Sequence, residues 1–328
     1  MYVFSGMSGS KTADIAGVAS VMREPLKERG YPPGESVAVL AAGAAMGETI
    51  PPSIAMLILG SVTSLSITAL FMGGLLPAAV LAAALMAGIL YRARGGRLPR
   101  GSPFSGRALV KAIMPALPAI FIPVILLGGL VGGIGTPTEV ATFAVVYGLI
   151  VATFGYRTVT LKLLWDLLRE SAVMAGMVLL VVATANLLSE AIVHAGIAAT
   201  LPAFLQRVSG GPAGFLLVAT IGMIVLGVFM EGLPALIVFG PLLLPIATQF
   251  GINPLQFGMI MIIAMGIGLM APPAGVGLYI ACAVGHASVK DSLSPSIFYN
   301  VVLVIGLALV VCFPEITLVI PRALGLLK

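Results

Sequence analysis

Gly47-Glu48-Thr49-Ile50-Pro51-Pro52-Ser53 interrupts an apolar run over residues 36–65, and Gly268-Leu269-Met270-Ala271-Pro272-Pro273-Ala274-Gly275-Val276-Gly277 interrupts a second over residues 254–284. A proline pair removes two backbone donors and drives the residue before it out of helical geometry, so both runs are expected to unwind part-way along. Unwound backbone at membrane depth is stable only where protein or a polar cavity covers it. The two interruptions are related. A shift of 221 positions carries Gly6 onto Gly227, Gly30 onto Gly251, Pro33 onto Pro254, Gly47 onto Gly268, Pro51 onto Pro272, Pro52 onto Pro273 and Leu57 onto Leu278. Seven identities at one offset, six of them Gly or Pro, mark an internal repeat.

The rest of the chain places that repeat in a membrane. Of 328 residues, 59% are hydrophobic and 9% charged, and the mean hydropathy is +1.15. A soluble domain carries about 25% charged residues, so an ordinary globular protein, a disordered chain, a nucleic-acid binder and a disulfide scaffold are all excluded. Cys282 and Cys312 lie in apolar runs and read as small core residues, not as a bridge. Further apolar segments cover residues 69–91, 112–133, 138–156, 171–194, 213–230, 233–250 and 297–320. At about 20 residues per span this predicts an all-α polytopic membrane protein of eight or nine spans. Leu161, Leu164, Trp165 and Leu168 recur at helical spacing and predict a short interfacial helix over 157–169.

Each repeat reads as a re-entrant hairpin, a Gly/Pro turn and a broken span. Five spans counted from the first broken one invert the second copy, and paired broken segments in inverted halves point to the binding site of a secondary transporter. The expected organisation is a first transport repeat over 1–68, scaffold and connecting helices over 69–212, a second transport repeat over 213–284 and a scaffold helix over 285–328. Thirteen of the seventeen Lys and Arg residues fall in loops 22–36, 91–111, 156–170 and 283–295, which predicts that this side is cytoplasmic. Only Arg207, Arg322 and Lys328 fall opposite, and Lys11 lies inside the first hairpin.

Two cation sites are expected, one per repeat. Hydroxyls and glycine-exposed carbonyls are the hard oxygen ligands of an alkali cation, and a half-helix C-terminus favours positive charge. The first site is assigned to Ser8, Gly9, Ser10, Gly47, Glu48, Thr49 and Pro51, and the second to Gly227, Glu231, Gly232, Gly268, Met270, Ala271 and Pro272. The alternative is that these Gly and Pro residues only permit close packing and kinks. The half-helix N-termini after the proline pairs suit a carboxylate, so Ser10, Lys11, Asp14, Ser53 and Gly275 are the candidates for an organic anion. Intramembrane acids are costly and mark functional sites, but Asp14, Glu48 and Glu231 could equally pair with Lys11 or cap helices. Thr136-Pro137-Thr138-Glu139 reads as a capping box, and Glu190 with His194 as an interfacial pair. Gly6-Met7-Ser8-Gly9 also fits an intramembrane serine protease, which needs a histidine base; His194 and His286 fall near span ends.

Ser8-Gly9-Ser10-Lys11-Thr12-Ala13-Asp14, Gly47 to Ser53, Gly135 to Glu139 and Gly268 to Gly277 together resemble one family. It is the large, dicarboxylate-type (DctM-like) membrane subunit of the tripartite ATP-independent periplasmic (TRAP) transporters. The resemblance implies a sodium-coupled importer of C4-dicarboxylates, sialic acids or related sugar acids in a bacterial or archaeal cytoplasmic membrane, with no cofactor. It implies an elevator movement, a periplasmic substrate-binding protein and a small four-helix membrane subunit, with the sodium sites on the hairpin tips and broken strips. Family members carry further spans before the Ser-Gly-Ser motif, so this chain is expected to open inside the first hairpin, lacking its entering limb and part of the scaffold. A stand-alone carboxylate or cation transporter is the alternative.

Overall fold

The structure, a computed structural model, describes residues 2–95, 98–99 and 105–327. Arg97 and Arg100, counted above among the loop charges, and Lys328, counted on the opposite side, lie outside them. The first repeat comprises α1 (Tyr2–Ser8), α2 (Lys11–Glu28), α3 (Pro33–Ala45), a 3-10 turn (Gly47–Thr49) and α4 (Ile54–Val62). Then come α5 (Ile67–Arg94), α6 (Gly106–Val131), α7 (Pro137–Ile150) with a π-helical turn (Val151–Gly155), α8 (Leu161–His194) and α9 (Ile197–Ser209). The second repeat comprises α10 (Pro212–Phe229), α11 (Gly232–Gln249), α12 (Pro254–Leu269) and α13 (Val276–Gly285), followed by α14 (Val289–Cys312) and α15 (Glu315–Ala323). Among the described residues there is no strand, and eight helical stretches are long and apolar enough to cross a membrane. The chain is an all-α, multi-pass membrane protein.

Local chemistry explains the boundaries. Pro33 and Pro254 open α3 and α12 at positions where no backbone donor is needed. Ser53, Ser66 and Ser288 accept from Met56, Ala69 and Asp291 amides at 3.4, 3.3 and 3.1 Å and cap α4, α5 and α14. Thr136 and Glu139 form the expected capping box. Both proline pairs interrupt their helices as expected, and both Pro51-Pro52 and Pro272-Pro273 peptides are cis.

The offset of 221 holds in three dimensions. Added to Lys11 and Glu28 it gives Gly232 and Gln249, the two ends of α11. Gly30 and Gly251, which join each hairpin to its broken segment, have φ of +76° and +74°. The repeats embrace: α2 packs on α13 of the other copy, and α11 on α4. They are also inverted. Gly34, at the start of α3, lies against the backbone of Asp291 at the beginning of α14. Gln256, at the start of α12, donates to the carbonyl of Val311 at the other end of α14, 3.1 Å away. Those twenty residues of helix span about 30 Å, the thickness of a bilayer core.

Two compact units are present, Met1–Gly101 with Ser189–Lys328, and Ser102–Leu188. In the first, α12 is buried from Leu255 to Leu269, which is why its sequence is apolar on every face. In the second, α6 and α7 pair antiparallel. Tyr147 and Tyr156 donate to the carbonyls of Pro118 and Pro115 at 3.1 and 2.6 Å, and Gly129 receives Val140.

The structure departs from expectation in three places. Residues 157–169 make no separate helix: α8 runs unbroken from Leu161 to His194, because no breaker separates Arg169 from the apolar run. The last apolar segment is split. Ser288 starts α14 earlier, and Pro314, which has no donor to continue the ladder, divides it from α15. α5 and α14 lie in the compact unit of the repeats, with α14 packed on α3 and α5 on α15. Finally, Glu35 is not a loop charge but is buried in the first turn of α3.

Candidate functional site

The buried polar side chains of the first hairpin converge where its tip meets the first broken segment. Gly9 takes φ of +61°, and its carbonyl accepts from the Ile54 amide at 3.5 Å, tying the tip to the start of α4. A side chain at position 9 would press on the carbonyl of Pro52, 3.1 Å away. Asp14, fully buried one turn into α2, accepts from the hydroxyls of Ser5 and Ser8, which lie on one face of α1. Ser8 Oγ also accepts from the Ser10 amide at 3.3 Å. Gly47 leaves the space into which Ser5 and Asp14 point, since a Cβ there would strike both.

Beside this cluster Lys11 Nζ lies 2.5 Å from Glu48 Oε2, with side chains only 2% and 9% exposed. The ion pair abuts the second repeat. A Cβ on Gly232, at the tip of the second hairpin, would stand 3.4 Å from Lys11 Nζ and 3.8 Å from Glu48 Oε2. One on Gly266 of α12 would stand 3.6 Å from Lys11 Cε. The two hairpin tips therefore meet at a buried pair of opposite charges. Thr49 and Ser53 are buried alongside, and Pro51 closes the strip.

The second repeat is built differently at the same positions. Ser5, Ser8, Asp14, Glu48 and Thr49 correspond to Leu226, Phe229, Ala235, Leu269 and Met270. Gly227 and Gly268 serve close approach: a Cβ on Gly227 would lie 3.1 Å from the Gly268 Cα. Glu231 is exposed and precedes α11 without capping it. What this repeat offers is backbone. Met270 O accepts from Asn300 Nδ2 at 3.1 Å, Gly268 O from the Ala271 amide at 2.9 Å, and Ala271 O from the Gly275 amide at 2.8 Å, with Pro272 following.

Thus Ser8, Ser10, Lys11, Asp14, Gly47 and Glu48 come together with Gly232, while Glu231 stands apart. Several participants were missed in the sequence. Ser5 completes the Asp14 cluster, and its spacing of three from Ser8 was the signal. Asn300 reaches the second strip from α14, a partner no local pattern reveals. Glu35 accepts from Tyr299 Oη at 2.5 Å and pairs with Arg92 at 2.6 Å, and the Arg92 guanidinium lies over the Phe298 ring, 5.1 Å from its centre. The protease alternative finds no base. Ser8 is engaged with Asp14 and Ser10, Glu190 and His194 stand 3.8 Å apart at the exposed end of α8, and His286 caps α13.

Fold and site together define a multi-pass membrane protein in which two inverted repeats meet at broken helices around a buried polar cluster. Residues 1–316 match the family described as tripartite ATP-independent periplasmic transporter, DctM component. The chain is similar to Salmonella typhimurium YgiK, an uncharacterised protein, at 33% identity over 97% of this chain and 73% of that protein. It is similar to the C4-dicarboxylate TRAP transporter large permease protein of Pseudomonas aeruginosa at 32% identity over 99% of this chain and 76% of that protein. The sialic acid TRAP transporter large permease protein of Vibrio cholerae is 32% identical over 98% of this chain and 75% of its own length. The chain belongs to the TRAP transporter large permease family, and so is a transporter subunit and not an enzyme.

Proposed function

We propose that this subunit imports organic acids in symport with sodium, by an elevator displacement of the repeats, within a bacterial or archaeal cytoplasmic membrane. The observation that carries this reading is the meeting of the two hairpin tips at Lys11, Glu48 and Gly232, beside Asp14. Hairpins entering from opposite faces and touching at their tips divide the membrane as a transporter must, and moving them together carries the site from one face to the other.

The first cation is assigned to the oxygens around Ser8, Gly9, Ser10, Gly47, Glu48, Thr49 and Pro51. The second is assigned to the backbone of Gly227, Gly232, Gly268, Met270, Ala271 and Pro272, with Glu231 at the mouth. Asp14 serves the cation, since a carboxylate repels an anionic substrate; Ser10, Lys11, Ser53 and the N-terminus of α13 at Gly275 face the acid. Charge supports the pairing of ion and acid. Asp14, Lys11 and Glu48 sum to −1, so an arriving carboxylate deepens a buried negative charge unless cations accompany it. Both substrate-named relatives above carry acids, C4-dicarboxylate and sialic acid. The partners are a small membrane subunit and a periplasmic binding protein that delivers the acid.

Proteoliposomes carrying the assembled transporter test the reading. Labelled succinate or N-acetylneuraminate should accumulate with an inward sodium gradient and lose most of its rate when potassium replaces sodium. An undiminished rate in potassium overturns the coupling.

A further inference from the structure

Among the described residues Lys11 is the one buried cation at the junction of the repeats, and its occupancy there is incomplete. An ammonium has three donors. Glu48 lies against one side of it, and no hydrogen-bond partner among the described residues fills the others. Two glycines of the opposite repeat, Gly232 and Gly266, face it, a Cβ on either standing 3.4 or 3.6 Å from its side chain. The second repeat holds nothing comparable, because Lys11 and Glu48 correspond there to Gly232 and Leu269. A buried ion pair is a weak source of stability, since removing two charges from water costs about as much as their attraction returns. The pair therefore calls for a purpose other than holding the helices together.

We propose that Glu48 is a tethered stand-in for the substrate's carboxylate. With the site empty it neutralises Lys11, and the arriving acid takes up the same ammonium in competition with it. This rests on the transport reading above and deepens it, changing one assignment there, that of Glu48. Lys11 becomes the group that selects a carboxylate, and Glu48 the group that sets how tightly one is held. Glu48 then belongs to the anion side of the site and not to the first cation's ligands. A competitor that occupies Lys11 for most of the time lowers apparent affinity by the fraction of carriers left open. Weak holding suits a carrier that must release its load inside.

The test uses the full chain with its membrane partner in nanodiscs, with saturating sodium, and succinate and N-acetylneuraminate as probes in titration calorimetry. Glu48→Gln keeps the shape and removes the competing charge, so it should bind at least one of the acids about tenfold more tightly than wild type. Lys11→Met leaves Glu48 buried and unpaired and lowers the melting temperature. The double variant K11M/E48L has no unpaired charge and is the decisive one. It should melt at or above the wild-type temperature and bind both acids at least tenfold more weakly. Tightened E48Q binding with a folded, non-binding double variant supports the proposal. Wild-type binding with E48Q unchanged or weaker, or with a double variant that binds undiminished, overturns it and leaves the transport reading standing. A wild type that binds neither acid overturns both.

Discussion

Glu35 and Gln256 occupy the same place in the two repeats, 221 positions apart, and reach one helix, α14, at its middle and near its end. Glu35 accepts from Tyr299, and Gln256 donates to the carbonyl of Val311. Each copy is thereby pinned at the start of its broken segment, one by a charge and one by an amide. Tyr299→Phe leaves one carboxylate oxygen of Glu35 without its donor and should lower unfolding stability by about 1–3 kcal/mol. Arg92→Met leaves a buried carboxylate without its counter-ion and should cost more, about 3–5 kcal/mol. Denaturant or thermal unfolding of the purified protein ranks the two, and the opposite order would show that Arg92 contributes only its stacking on Phe298.

The crossing of α10 and α12 depends on glycine. A Cβ on Gly268 would run into the carbonyl of Ile224, and one on Gly227 would stand 2.7 Å from the Met265 carbonyl. Gly268→Ala must separate two helices, so it should destabilise by several times the ~1 kcal/mol that a helical glycine otherwise costs relative to alanine. Gly222, on the same α10, faces open space. Gly222→Ala should be neutral or slightly stabilising, and equal effects of the two substitutions would remove the packing explanation.

The repeat, the breaks at Pro51 and Pro272, and the capping box at Thr136 were legible because each is local or periodic. The first cation and substrate assignments grouped Ser8, Ser10, Lys11, Asp14, Gly47 and Glu48, which the fold does bring together. What could not be read was long-range pairing. Tyr299 and Glu35 are 264 residues apart, and neither stands in a motif. The glycines at 227 and 268 looked like the partners of Gly6 and Gly47, yet they pack backbone on backbone, because the side chains that Gly47 accommodates have no counterpart in the second copy. Identity of glycines carried the fold across the repeat; the polar chemistry was not carried with it.

Asp14 sits at the centre of the polar cluster, with two serine hydroxyls turned toward its oxygens. With a hydroxyl donor on each oxygen the carboxylate keeps further lone pairs, which the proposed reading gives to the cation. Asp14→Asn removes that charge while keeping the shape, and should abolish the sodium dependence of uptake or raise the sodium concentration for half-maximal rate more than tenfold. Ser5→Ala and Ser8→Ala, which only loosen Asp14, should each raise it a few-fold. Sodium titrations of uptake in proteoliposomes measure all three. An Asn variant with unaltered sodium activation would move the cation elsewhere.

Inversion of the repeats makes a prediction that needs no substrate. Glu28 ends α2 and Gln249 ends α11, they are related by the same offset of 221, and both are exposed. If α3 and α12 start at opposite ends of α14, these two residues lie on opposite faces of the membrane. The cluster of Arg23, Lys27 and Arg29 around Glu28 predicts, by the positive-inside rule, that this end faces the cytoplasm. The chain's own thiols are Cys282, buried, and Cys312, exposed, so a C282A/C312A background is needed. In it, Gln249→Cys should react with a membrane-impermeant maleimide in intact spheroplasts, and Glu28→Cys only after the membrane is opened. Reaction of both from one side would sink the inverted arrangement. Reaction of Glu28→Cys alone in intact spheroplasts would keep the inversion and reverse the orientation, with the charge-rich loops then facing out.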